Sequence, residues 1–472
     1  MRMLITCILA AALMSLFPHV SSGESVDQLV NRDDDYYAHI ANAEDDELKF
    51  NRSRETEGFA CGAYKVAVGD VDNDGILDLA VSYNNTDAIS VLKGDGKFGF
   101  ALTGIYHHPT DPVGNTANLT VVDIDGDGNL DIAAAIHERQ LLDYRDMNIP
   151  EEEIRLGWQG RVQLYRNRGD GTFFPIKRYQ TPSAGKGVRV VDIDNDGIRD
   201  LVYVARGVSY IRGDLKKGGR LIIRKGYGNF KFGSFKMGLA GSSAYRVETV
   251  DVNGDGFLDF FCPNERAKTV TYFINPGKDI FADGVSLTPR KIIVTPMEHS
   301  AVLKSIDRPG NHFSANDARV ADFTGDGKSD ALIVWMDQAA LQVQRGDGAG
   351  NFKHHSIIQA GSDAAFFGIG DLDHDRDIDF VVTHWQQEFV SIGLNDGMGH
   401  FSLKQYPAGN GSYGVAVADF DRDGNLDFVT ANYRAKSMNL YQGKGDGDFT
   451  GRGELPGELR LSNGKWSLQE SQ

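Results

Sequence analysis

The sequence predicts an all-β fold, a seven-bladed propeller, and three features carry the prediction. A nine-residue Asp/Gly loop recurs seven times, its starts separated by 53, 69, 59, 71, 49 and 48 residues. Short β-rich runs flank each copy, and most copies are followed by a second, glycine-based turn that ends in an aromatic. A repeat of that length is one supersecondary unit that cannot bury its apolar face alone, and a closed ring of such units leaves no open sheet edge.

The loops come first in the argument. In chain order they are Asp70 to Asp78, Asp123 to Asp131, Asp192 to Asp200, Asp251 to Asp259, Asp322 to Asp330, Asp371 to Asp379 and Asp419 to Asp427. Oxygen-bearing side chains stand at positions 1, 3, 5 and 9. These are Asp70, Asp72, Asp74, Asp78; Asp123, Asp125, Asp127, Asp131; Asp192, Asp194, Asp196, Asp200; Asp251, Asn253, Asp255, Asp259. The remaining three sets are Asp322, Thr324, Asp326, Asp330; Asp371, Asp373, Asp375, Asp379; Asp419, Asp421, Asp423, Asp427. Alternate side chains in a tight loop converge on one point, which suits a hard cation wanting six to eight oxygens, and the carbonyl at position 7 can complete the shell. Position 6 is glycine in six copies, where the chain must turn sharply. The expected cofactor is therefore Ca²⁺, up to seven ions. An EF-hand is excluded because it needs Glu at position 12, where the first two copies carry Val81 and Ala134. Magnesium keeps its waters too tightly for such a cage. The neutral Thr324 and the arginine at the glycine position, Arg376, mark the fifth and sixth sites (322–330 and 371–379) as the expected weakest.

The flanks read as strands. Tyr64-Lys65-Val66-Ala67-Val68 alternates before the first loop and Leu79-Ala80-Val81 is apolar after it; Tyr413 to Val417 and Phe428 to Thr430 repeat this around the seventh. The aromatic-ended turns are Gly94 to Phe98, Gly169 to Phe173, Gly226 to Phe230, Gly346 to Phe352, Asn395 to Phe401 and Gly445 to Phe449, and their Phe residues are expected to anchor the core between blades. Gly451 to Leu461 is a candidate outer strand for the last blade, in competition with Leu48 to Asn51.

Composition bounds the setting. Arg2, the apolar run Met3 to Phe17 and the small residues Ser21-Ser22-Gly23 read as an export signal. The expected organisation is a signal peptide (1–23), an acidic lead-in with a candidate closing strand (24–60), the propeller (61–462) and a C-terminal tail (463–472), in a secreted or extracellular monomer. After signal removal no stretch is long and apolar enough for a transmembrane helix. Cys61 and Cys262 remain, open to either a disulfide or two buried thiols. A net charge of −17 argues against nucleic acid. Acceptor sequences for N-glycosylation lie at Asn51, Asn84, Asn118 and Asn410.

The loops, together with Val-Ala-Val-Gly-Asp at Val66 to Asp70, resemble the FG-GAP/VCBS repeat family, the propellers of integrin α-subunit heads and many secreted proteins. The resemblance implies Ca²⁺ on one rim, held by the loop residues named above. Arg376 departs from the pattern. The resemblance does not imply one function, because members include adhesion modules, lectins and polysaccharide lyases.

Strand alternation places the variable loops on the opposite rim. They carry His107 and His108, His137 with Arg139, Arg206, Asn264 with Arg266, Trp335 with Asp337, His384 with Trp385, and Asn432 with Tyr433 and Arg434. The insertion Glu138 to Gly160 is the longest departure between repeats. Two functions follow. In a binding module for glycans or an extracellular protein, Trp385 and Tyr433 would stack on the ligand and Arg206, Arg266 and Arg434 would anchor acidic groups. In a polysaccharide lyase, Arg139 or Arg266 would neutralise a uronate, while His137 or His384 with Tyr433 moved the proton. Binding is preferred, because no local catalytic motif appears. Arg212-Gly213-Asp214 matches an integrin-recognition tripeptide, too short a match to build on.

Overall fold

The computed structural model describes residues 60–469 except 85, 108–113, 139–159, 182–183, 207–218, 242, 266–268, 294–314, 337–338 and 463–464. Seven antiparallel sheets are present, six of four strands and one of six. In each blade the strands pair in chain order, with the Asp loop between the first and second. Blade 1 is Ala60–Gly69, Asp78–Tyr83, Ile89–Gly94 and Phe100–Tyr106. The first strands of the other blades are Gly114–Val122, Gly185–Val191, Glu248–Val250, Ala315–Ala321, Ala364–Gly370 and Ser412–Ala418. First strands of neighbouring blades pack on one another and blade 7 packs on blade 1, so the first strands line the axis of a closed propeller.

Apolar layers separate the blades. Between blades 1 and 2 lie Val91, Leu119, Ile132, Ile136 and Tyr165; between blades 7 and 1 lie Val81, Leu92, Phe420, Val429 and Leu440. Comparable layers fill the other five interfaces. Second strands such as Asp330–Trp335 are buried along their whole length because both faces meet a neighbour. The turn aromatics belong to these layers, as expected. Phe173 meets Tyr106 edge-on, Phe352 meets Phe261, and Phe449 meets Phe428. Cys61 and Cys262 are both buried and lie in different blades, not bonded to each other.

One contact recurs in every blade. The position-9 carboxylate accepts a backbone N–H from position 2 of its own loop and another from the end of the third strand. Asp78 binds Val71 and Gly94 at 2.9 Å each. The same pair of bonds is made by Asp131, Asp200, Asp259, Asp330, Asp379 and Asp427. The third-strand residue alternates between Gly and Asn. A Cβ on Gly94 would stand 2.2 Å from the Leu77 carbonyl. Asn167, Asn275 and Asn395 of blades 2, 4 and 6 instead donate Nδ2 to the corresponding carbonyl and to the preceding blade, at Val71, Ile193 and Phe323.

Ring closure corrects the sequence expectation. Blade 7 is complete in itself, its outer strand being Phe449–Pro456. The chain then forms a hairpin, Glu458–Ser462 and Lys465–Gln469, whose first strand pairs with Ala60 to Gly62 of blade 1. Thus Glu458 to Leu461 leaves blade 7, and the segment expected as a tail contributes a strand. Asn118 is buried in a first strand, which rules it out as a glycan acceptor in the folded chain. The export signal, the acidic lead-in before Ala60, Leu48 to Asn51, residues 139–159 of the insertion and Arg212-Gly213-Asp214 lie outside the described residues.

Asp200→Ala leaves two buried N–H donors without an acceptor. It is expected to destabilise the chain by roughly 2–4 kcal/mol in urea denaturation under chelator, where loss of metal cannot contribute.

Candidate functional site: Asp-loop rim and opposite mouth

The loops are shaped by their own backbone. In blade 1, Asp70 accepts the N–H groups of Asp74 and Gly75, and Asp74 accepts that of Ile76. These bonds turn the chain so that positions 1 and 3 face the position-9 carboxylate. Position 6 has positive φ throughout, including φ 78° at Arg376, a conformation strained for a side chain other than glycine. The Arg376 N–H still donates to Asp371 at 3.1 Å, so the sixth loop closes like the others.

The residues fit a divalent cation. Asp70/Asp72/Asp78, Asp123/Asp125/Asp127, Asp192/Asp194/Asp200, Asp371/Asp373/Asp379 and Asp419/Asp421/Asp427 each bring three carboxylate oxygens within 4.8 Å of one another. Oδ1 of Asp194, Asp371 and Asp419 is buried without a hydrogen-bond donor. A buried, unpaired carboxylate oxygen is costly, and a metal ion removes that cost. The fourth loop differs, because the Asn253 Nδ2 donates to Asp255 at 2.8 Å. The fifth carries Thr324 in place of the position-3 carboxylate.

The sequence reading missed the residues that face these clusters. The last residue but one of the third strand reaches into the loop. Lys93 pairs with Asp72 and with Asp74 at 2.9 Å, and Arg166 with Asp125 and Asp127 at 2.9 and 3.2 Å. Lys225 pairs with Asp194 and with Asp196 at 2.7 Å, and Arg345 with Asp326 at 2.9 Å. Gln442 donates to Asp421 at 2.5 Å. Blades 4 and 6 have Ile274 and Leu394 in this register. Four blades therefore carry a tethered cation where a metal would sit.

At the opposite rim, the residues that follow the second strands of blades 5, 6 and 7 gather near the axis. Met336, Trp385 and Tyr433 pack against the aromatic group that closes the axis. Trp385 and Tyr433 are half-buried and stacked, centroids 5.6 Å apart and planes within 6°. The exposed Arg434 guanidinium lies 4.9 Å from the Trp385 ring. Arg206 is paired with Glu265 and donates Nε to Ser243 at 2.6 Å.

Four expected mouth residues are interior instead, because burial of the second strands reaches one residue further than the pattern implied. Trp335, Asn264 and Asn432 are fully buried. His384 is 0% exposed, its ring nitrogens bonded to the Ser362 carbonyl and the Ser391 hydroxyl, and burial lowers its pKa to about 4. A neutral imidazole with both nitrogens engaged has no lone pair to offer a substrate proton, which removes His384 from the lyase reading. The side chain of His137, and His108, Arg139, Arg266 and Asp337, lie outside the described residues.

A model of the FG-GAP-like repeat matches residues 39–134, 154–203 and 371–430. The chain is a seven-bladed propeller in which three segments match the FG-GAP-like repeat. The two loops outside the matched segments are those of blades 4 and 5, the two with a non-Asp ligand position. No curated protein matches the chain in sequence. Among solved structures it is similar to the periplasmic gluconolactonase of Pseudomonas aeruginosa, with 12% identity, a TM-score of 0.52, and 88% of this chain and 99% of that one covered. It is similar also to a functionally unknown protein from Desulfotomaculum acetoxidans, with 11% identity, a TM-score of 0.50, and 88% and 100% covered. At such identities these likenesses concern the fold.

Burial raises the carboxyl pKa of Asp200, Asp379 and Asp427 to about 7, and of Asp131 and Asp259 to about 6, against the opposing pull of their backbone donors. Between the ordinary Asp value, about 3.9, and these values the folded chain binds more protons than the unfolded one. Stability of the metal-free protein therefore rises as pH falls through that window. Its melting temperature under chelator is expected to be higher at about pH 5.5 than at about pH 7.5, and saturating Ca²⁺ reverses the order. Removing a tethered cation with Lys93→Met should tighten metal binding in blade 1 by about three- to tenfold, read by calorimetric titration.

Proposed function

We propose that this is a secreted, monomeric, calcium-stabilised binding module that recognises glycans or an extracellular protein at the mouth opposite the Asp loops. The observation that carries the reading is the Trp385–Tyr433 stack with Arg434 beside it. A half-exposed aromatic pair offers an apolar face of the kind that packs on sugar C–H groups, and an adjacent exposed guanidinium suits a carboxylate or sulfate. An acidic glycan matches both features better than a neutral one. Closed rings commonly bind at such a mouth because one side chain from each blade converges there. Ca²⁺ in the Asp loops acts on the far rim as a structural cation, offsetting carboxylate repulsion and holding the first and second strands in register. The lyase alternative has lost His384, whose imidazole is interior and bonded at both nitrogens.

Glycan and extracellular-protein arrays probed with the mature chain test the reading. Trp385→Ala and Arg434→Ala are each expected to weaken binding by about tenfold or more while leaving the melting temperature within a few degrees of wild type. Undiminished binding by both variants would refute the assignment of the mouth.

A further inference from the structure

The axis carries charge that neither the Asp loops nor the mouth uses. On the mouth side the Tyr245 hydroxyl lies 2.6 Å from those of Tyr64 and Tyr413. Tyr64 stacks on Tyr413 at 4.2 Å, and Phe366 packs on Tyr413 at 4.4 Å. All four rings are buried, so this layer seals one end. Next to it stand Lys65, Lys186, Arg189 and Arg319 on first strands and Arg246 just before that of blade 4, with Glu248 and Asp317 among them.

These groups form a network with too few acceptors. Asp317 holds Arg246 at 2.6 Å and Arg319 at 3.1 Å; Glu248 holds Arg189 at 2.9 Å and Arg319 at 3.3 Å. Lys65, Arg189, Arg246 and Arg319 thus share two carboxylates, Asp317 and Glu248, inside a chain of net charge −17, while Lys186 is set between Arg206 and Glu265. Lys65 is 4% exposed, and its ammonium has no hydrogen-bond partner, lying against the Tyr64, Phe366 and Tyr413 rings. The Arg246 Nε is likewise buried without an acceptor. Burial, with Arg246 second, pushes the Lys65 pKa well below its usual value, as an uncompensated cation requires. A purely structural ion network would balance its charges, because an unmatched buried cation is costly.

Arg189 and Glu248 keep 22% and 24% of their side-chain surface, and Arg246 and Arg319 keep 13% each. With the tyrosine layer closing the mouth side, solvent reaches them from the rim of the Asp loops. We propose that this axial well binds a small oxyanion, a tetrahedral phosphate-like group or a dicarboxylate, through Lys65, Arg189, Arg246 and Arg319. Guanidinium groups suit such oxygens, and the anion would supply the acceptors that Lys65 and Arg246 lack.

Calorimetric titration of the calcium-loaded mature protein with inorganic sulfate, and separately with succinate, tests the site with probes that do not strip Ca²⁺. One saturable equivalent is expected. A preference for sulfate assigns a phosphate-like ligand, and a preference for succinate a dicarboxylate. Lys65→Met and Arg189→Met should each weaken binding at least about tenfold, while Trp385→Ala leaves it unchanged, so this site fails or stands apart from the mouth. Arg189 is partly exposed and distant in sequence from the tyrosines, so its variant serves if Lys65→Met does not fold, as a thermal melt will show. No saturable binding of either probe, or equal affinity in wild type and Arg189→Met, overturns the proposal.

Discussion

The position-9 carboxylate is the joint on which each blade is built. Its two oxygens tie the start of the Asp loop to the end of the third strand, across the second strand from which it projects. That bridge holds the loop so that positions 1 and 3 converge with position 9 itself in blades 1, 3, 6 and 7. It also holds the third strand where its penultimate side chain reaches the cluster. A carboxylate is needed because only an ionised acid offers two strong acceptors to backbone donors in a buried place. The cost is visible in the raised pKa of the same groups, so the joint is strained electrostatically until a cation arrives.

The Asp loops were legible because all four ligand positions fall within nine consecutive residues. Chain-local geometry needs no tertiary knowledge. The tethered cations were legible in principle. In five blades the Gly or Asn stands 16 residues after the position-9 Asp, as Gly94 follows Asp78, with Lys93, Ile274, Arg345, Leu394 or Gln442 just before it. Insertions in blades 2 and 3 break that spacing and hide the pattern. The axial well was not legible, because Lys65, Arg189, Arg246 and Arg319 come from four blades and meet only when the ring closes. His384, Trp335 and Asn264 were misplaced for a different reason. A second strand buried on both faces shows no alternation, so nothing local marks where it leaves the interior.

Charge is sorted by depth in this chain. Acids crowd the Asp-loop rim, where tethered lysines and arginines or a metal meet them, while cations gather at the axis behind that rim. The arrangement would couple the two proposed sites. An anion moving toward the axis would cross a field set by how fully the loops are neutralised, so metal at the rim and an anion at the axis would favour one another.

The hairpin at Glu458 to Gln469 pairs with the first described strand of the chain, and this has a consequence during synthesis. Ala60 to Gly62 leave the ribosome before any blade exists, and their partner is made only after all seven blades. Until then the nascent protein exposes an unpaired edge at Ala60 to Gly62, the kind of surface that neighbouring polysomal chains can capture. Protection of that edge by a chaperone, or by residues upstream of it, is a condition for producing the ring in good yield.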